Sequence, residues 1–336
     1  MALALLALLA FLQAVHALST LNSSIKTHKF PAGLELASSY DVQVKQSSSP
    51  LYTVESYGTI VSEANTTSGK GIEHNTSFAL FDFSGSVDAF VTYKKAPVQS
   101  AIVRPHSYDI QPTITGNMIT FTLNRPRIVV LQVNDDIFDT LQLFTNAVET
   151  DVPVPHDPDI LYFGPGIDNG SSDGNGTLAM PSDNPETMDG VVIRNVDILD
   201  HHEPQLWYQG CIAINPGDSD FIRTIQIEDV RVENFRLGQL LNFRVMYNSK
   251  YNTSPGRGTR NVYVKGLVYN GSHANPSLLL GYDQLRNISN VTFANLRVNE
   301  KLIHGEMAKP SWYYTFDFVP MFANEYVNGL NFTSGQ

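Results

Sequence analysis

Between Val191 and Val298 one short pattern recurs four times, and it restricts the fold more than any other feature of the chain. Written as apolar, any, apolar, any, any, apolar, any, apolar, it reads Val191, Ile193, Val196, Ile198 in the first copy. The next copies are Ile225, Ile227, Val230, Val232, then Val262, Val264, Leu267, Tyr269, then Val291, Phe293, Leu296, Val298. Residues two apart share a face of a strand but fall on opposite sides of a helix, so each copy is two short strands meeting at a corner. Asn195, Asp229, Gly266 and Asn295 occupy that corner, and all are residue types that tolerate a tight backbone bend. Recurrence at tens of residues marks supersecondary units that stack on one another. The copies begin 34, 37 and 29 residues apart, which leaves room for loops beside each coil. The reading is a short right-handed parallel β-helix with about four recognisable rungs.

Upstream the signal changes. Tyr40–Val44, Phe78–Phe83, Ala89–Tyr93, Ile119–Leu123 and Ile128–Val133 read as short strands. Turn clusters such as Ser47-Ser48-Ser49-Pro50 and Asn124-Arg125-Pro126 separate them. With almost no helical periodicity, they predict an antiparallel β-sandwich over residues 25–155. A Gly-, Asn- and Ser-rich junction follows over 156–188, then the β-helix over 189–336. The aromatic tail from Lys301 to Gln336 reads as a C-terminal cap over the open end of the solenoid. The fold class is therefore all-β.

Several properties bear on compartment and partner. Met1–Ala17 is a Leu- and Ala-rich run ending in Val15-His16-Ala17, which fits a signal peptide and is too short to span a membrane. Asn-x-Ser/Thr occurs at Asn22, Asn65, Asn75, Asn169, Asn175, Asn252, Asn270, Asn287, Asn290 and Asn331, many more than chance supplies. A secreted, extracellular glycoprotein is the expectation. The formal charge of −11 argues against nucleic acid or an anionic membrane as partner. Cys211, the single cysteine, excludes an intrachain disulfide and reads as a small buried hydrophobe. No phosphate loop or Gly-x-Ser-x-Gly elbow is present, no cofactor or metal is expected, and a monomer is anticipated.

Chemistry on a β-helix resides in side chains of one lateral face and its loops. Asp200, His201, His202, Glu203, Asp218 and Asp220 form the densest cluster. Glu203 and Asp218 are the catalytic candidates, because glycoside hydrolysis uses paired carboxylates about 5–9.5 Å apart. Both also read as solvated turn residues, Asp218 especially, since it follows Pro216-Gly217. Adjacent His201 and His202 point to opposite sides of an extended chain, which disfavours a metal chelate. Trp207, Tyr208 and Trp312 are candidates for stacking on sugar rings, with Arg257 as a polar partner, and packing under a loop is the alternative for each aromatic. Glu228, Asp229 and Glu233 beside Arg231 and Arg236 read as surface ion pairs, and Asp135-Asp136 as a turn.

His202-Glu203-Pro204-Gln205, Ile214-Asn215-Pro216-Gly217-Asp218, the Lys250–Arg257 run and Lys309-Pro310-Ser311-Trp312-Tyr313 resemble motifs of fungal secreted polygalacturonase- and dextranase-like glycoside hydrolases. Tyr162-Phe163-Gly164-Pro165-Gly166 resembles the junction between sandwich and β-helix in dextranase-like members. The resemblance implies hydrolysis of O-glycosidic bonds in a polysaccharide or oligosaccharide. The Asn-Thr-Asp, Asp-Asp, Gly-His-Gly and Arg-Ile-Lys motifs of polygalacturonases are missing from the rungs. The chain also runs from Gly166 through a sequon-bearing loop directly to Val191, so the family's central catalytic coils are absent and no catalytic residue carries over. An inactive glycan-binding β-helix or a truncated gene product is the alternative.

Overall fold

The computed structural model describes residues 24–30, 33–47, 49–64, 70–149, 187–202, 209–235, 237–271 and 275–335. The leader, residues 150–186, Glu203, Trp207, Tyr208 and the sequons Asn22, Asn65, Asn169 and Asn175 lie outside them. The described residues are almost all strand and turn, with two 3-10 turns, and no helix is long and apolar enough to cross a membrane. Two compact units result, one of residues 1–62 and 72–178, the other of 63–71 and 179–336.

The first unit has strands β1 (Ile25–Thr27), β2 (Tyr40–Lys45), β3 (Tyr52–Val54), β4 (Ser56–Ala64), β5 (Gly71–Phe83) and β6 (Val87–Tyr93). It continues with β7 (Ala101–Arg104), β8 (Thr113–Thr115), β9 (Met118–Leu123), β10 (Val129–Val133) and β11 (Leu141–Asn146). One sheet is ordered β1-β5-β11-β10-β7, with β4 also on β5, and the other β3-β2-β6-β9-β8. Alternate residues such as Val42, Phe81, Val91, Phe121, Leu131 and Leu143 point into a shared core, as period-two strands require. The antiparallel expectation needs one correction: β5 and β11 run parallel, with Leu141 opposite Ser77. Within the core, Ser39, Tyr93 and Lys95 all reach the buried Asp139 carboxylate, at 3.0, 3.2 and 2.9 Å. That anchoring satisfies a charge that is costly to bury alone. Asp136 accepts the amides of Phe138 and Asp139, so Asp135-Asp136 forms a turn.

The second unit has β12 (Thr187–Asp189), β13 (Val192–Ile198), β14 (Ile212–Ile214), β15 (Phe221–Val232), β16 (Leu241–Arg244), β17 (Gly258–Lys265) and β18 (Val268–Tyr269). It ends with β19 (Ser277–Leu280), β20 (Ile288–Ala294), β21 (Leu296–Val298), β22 (Lys301–Ile303), β23 (Met321–Ala323) and β24 (Val327–Thr333). The chain alternates between two sheets. In the first, β12 and β13 lie on β15, which is followed by β17, β20 and β24, all parallel. In the second, β14, β16, β19 and β23 stack in parallel.

The four sequence copies fall one above another. Ile225, Val262 and Val291 share one register position, and Ile193, Ile227, Val264 and Phe293 another. The corner is in the left-handed region at every level: Asn195 at φ 54°, Asp229 at 55°, Gly266 at 67° and Asn295 at 52°. A second left-handed ladder, which the pattern does not reveal, runs through Gly190, Thr224, Asn261, Asn290 and Gly329 at φ 54–73°. Inside, Phe243, Phe293 and Phe332 stack, with ring centroids 6.4 and 5.3 Å apart. Outside, Arg194–Glu228 and Asp197–Arg231 pair at 2.8 and 2.6 Å between directly opposite residues, which helps hold the register. The tail departs from expectation. Val327–Thr333 forms a fifth level, with Leu330 over Val291 and Phe332 over Phe293, while Trp312, Tyr313 and Tyr314 are 91%, 52% and 67% exposed. A cap formed by these aromatics would have buried them.

Candidate functional site

Each level of the second unit has two sets of turns, those leading from the first sheet to the second and those leading back. The returning turns, residues 215–220, 245–257 and 281–287, build the more developed surface. Asn215-Pro216-Gly217-Asp218 on one level meets the Asn248–Arg257 run on the next, through a Gly217–Pro255 bridge and the Met246 amide on the Pro216 carbonyl at 2.7 Å. Both glycines are dictated by close approach. A Cβ on Gly217 would stand 2.7 Å from Asn252 Nδ2, and one on Gly256 would overlap the Pro216 carbonyl.

Asp218, itself left-handed at φ 52°, is the clasp between these turns. Its Oδ2 accepts Asn252 Nδ2 at 3.0 Å, and its Oδ1 accepts the Thr253 amide at 2.6 Å and Thr253 Oγ1 at 3.0 Å. The Asn252 side chain, the Thr253 amide and the Thr253 hydroxyl, in that order, hold the Asp218 carboxyl below the usual carboxylate range. Asn252 Oδ1 in turn accepts the Asn248 amide at 3.0 Å, and Asn248 Oδ1 accepts the Lys250 amide at 3.0 Å. Asp218 is thus ionised and fully engaged at neutral pH. That state suits a structural acceptor or a base and excludes a general acid.

Around the clasp opens a cleft of about 460 Å³, walled by Gln209, Asn215, Asp218, Asp220, Asn248 and Asn252, with Met246 and Tyr251 as its apolar surfaces. Tyr251 is 68% exposed, with Lys250 Nζ 4.9 Å from its ring centroid. Tyr247 and Tyr282, also exposed, lie edge to face at 6.2 Å on the same set of turns. These three tyrosines are the residues that sequence reasoning missed, because they fall in loops outside the repeat. The signal was there: Tyr247 and Tyr251 follow β16 and Tyr282 follows β19, strands of the second sheet on successive levels.

The other candidates distribute unevenly. Arg257 does not line the cleft. Its Nε reaches the Ser219 carbonyl at 2.5 Å and its Nη2 the Thr187 hydroxyl at 3.2 Å, and together with Arg260 it flanks the Phe221 ring at 6.0 and 5.6 Å. Trp312 stands on the loop between β22 and β23, in the turns leading toward the second sheet and therefore at the other side of the coil from Asp218. His202, the described neighbour of Glu203, bridges to Leu237 in that same opposite set of turns. Cys211 sits where β14 begins, and burial, reinforced by Asp200, pushes its thiol up to about 12. It is no nucleophile at neutral pH.

No protein-family model and no curated protein sequence matches this chain. Among solved structures, Dex49A from Penicillium minioluteum superposes at a TM-score of 0.31 and 11% identity, over 93% of this chain and 77% of that one. A superposition of that quality is a basis for neither fold nor activity.

Proposed function

We propose that this is a secreted, monomeric, polysaccharide-acting protein of the glycoside hydrolase type, built as a β-sandwich followed by a right-handed parallel β-helix. In this reading its primary property is to hold a neutral glycan in the cleft beside Asp218. The exposed Tyr251 ring at the edge of a cleft walled largely by amides and carboxylates, with Met246 beside it, carries the proposal. Sugar rings offer apolar C–H faces for an aromatic and hydroxyls for paired donors and acceptors, and this cleft offers both partners. Right-handed winding follows from the strong handedness of parallel β crossovers. The leader-like N-terminus and ten sequons support secretion. The motif resemblance to polygalacturonase- and dextranase-like proteins points to the same substrate class.

Affinity electrophoresis against dextran, pectate and neutral plant glucans tests the proposal. Retardation by one of them, lost in Tyr251→Ala and kept in Trp312→Ala, is the expected result. Retardation unchanged in Tyr251→Ala would refute the cleft as the binding place.

The second reading is hydrolysis, favoured by two carboxylates, Asp218 and Asp220, lining one cleft. Asp218 would then serve as the ionised member, with Asp220 as proton donor. Reducing-sugar release from the bound polysaccharide, abolished in Asp218→Asn and in Asp220→Asn, is required for it. Binding without release leaves the glycan-binding reading alone.

A further inference from the structure

We infer that the ten sequons are not equivalent: Asn270 carries an N-glycan, whereas Asn252 is a wall of the cleft and carries none. N-glycosylation transfers an oligosaccharide from a lipid pyrophosphate. A bond forms between the asparagine Nδ2 and the anomeric carbon, the bond from that carbon to the pyrophosphate oxygen breaks, and Nδ2 gives up one proton. The product needs open space around Nδ2. At Asn252 that space is taken. Nδ2 donates to Asp218 Oδ2 at 3.0 Å, and Gly217 lies so close that even a Cβ there would be 2.7 Å away. The other end of the amide is fixed as well, because Oδ1 accepts the Asn248 amide at 3.0 Å. A glycosylated Nδ2 keeps a single N–H, and with Asp218 Oδ2 on that nitrogen and Gly217 crowding it, a sugar there competes directly with the closed clasp. Transfer acts on the unfolded chain, so a chain modified at Asn252 cannot close this turn, and the folded, secreted population is the unmodified one.

Asn270 is the opposite case. It is exposed, in the turn that leaves β18, and the amide atom engaged there is Oδ1, which accepts the Glu300 amide at 2.9 Å. A glycan there disturbs no clasp. The inference is independent of what the cleft binds.

The test expresses the full chain behind a foreign secretory leader in a eukaryotic host and maps the folded, secreted protein by intact-glycopeptide mass spectrometry. Glycan at Asn270 and an unmodified Asn252 are expected. Ser254→Ala, which removes the Asn252 sequon but leaves the amide in place, should change neither glycan number nor melting temperature. Ser272→Ala should remove one glycan. Glycan on Asn252 in the folded fraction, loss of a glycan in Ser254→Ala, or an unmodified Asn270 would each overturn the inference.

Discussion

Thr224 holds a backbone position that its side chain opposes. In the second left-handed ladder its neighbours above and below are Gly190 and Asn261, followed by Asn290 and Gly329, and only Thr224 is β-branched. The left-handed conformation costs an L-residue about 1–2 kcal/mol, with β-branched residues the least tolerant and asparagine among the most. Thr224 keeps one compensation, a side-chain hydrogen bond to the Asp189 carboxylate. Asparagine in its place retains a donor for Asp189 and extends the contact already made between Asn290 Nδ2 and Asn261 Oδ1 at 3.1 Å. Thr224→Asn should therefore stabilise the coiled unit by about 1 kcal/mol, or about 2–4 °C for a unit of this size. Differential scanning calorimetry reads it directly. Two controls fix the cause. Asn261→Thr should lower the transition by a similar amount. Gly266→Ala should lower it further, since φ is 67° there and a Cβ would come 2.8 Å from Asp229 Oδ1. A neutral or destabilising Thr224→Asn combined with a neutral Asn261→Thr would show that these corners carry no strain, and the reasoning would fail.

Phe293 is fully buried at the centre of the Phe243–Phe293–Phe332 stack, so Phe293→Ala should cost about 3–5 kcal/mol, measured as a shifted urea midpoint. Cys211, with its thiol near 12, should be about one ten-thousandth thiolate at pH 8 and label slowly with a disulfide reagent until urea is added. Fast native labelling would contradict the raised thiol of this half-buried residue. Asp218 has a folded-state pKa below its unfolded value of about 3.9, so its contribution is present above that value and is lost as pH falls through the depressed one. Hydrogen exchange at the Thr253 amide should be flat from pH 5 to 8 after correction for intrinsic rates, and lose protection below about pH 4. Protection that persists at the lowest pH would remove the clasp.

The scaffold was legible wherever burial imposes a period. The rungs at 225–232, 262–269 and 291–298 declare themselves because the same positions face the same core, against which Val191, Val196 and Ile198 of the first copy also pack while Ile193 is exposed, and the corner residues share a chemistry that tolerates positive φ. The fifth level escaped because Leu330 and Phe332 match only the first half of the pattern. The Gly190–Gly329 ladder escaped because a threonine interrupts an otherwise recognisable run of Gly and Asn. In the first unit, the first half of β5 carries mostly exposed polar residues, so no alternation marks it.

The site was legible as motifs and misread as a cluster, and the reason is geometric. From Asp200 to Asp220 the sequence looks like one dense group of titratable residues, but this stretch crosses the coil. It leaves one sheet after Ile198, passes along β14 of the other, and reaches Asp218 only on the returning turn. Side chains that can act on one ligand in such a fold come instead from the same turn on successive levels, because neighbouring strands are only about 4.8 Å apart. Asp218 and Asp220 on one level and Asn248, Tyr251 and Asn252 on the next satisfy that condition, although they are some thirty residues apart in sequence. The spacing of the repeat is therefore the right ruler for seeking function here. Laying the turns of 215–220, 245–257 and 281–287 over one another brings out the cleft with Tyr251, and the exposed Tyr247 and Tyr282 on the same set of turns, where reading along the chain brings out the histidines and Glu203.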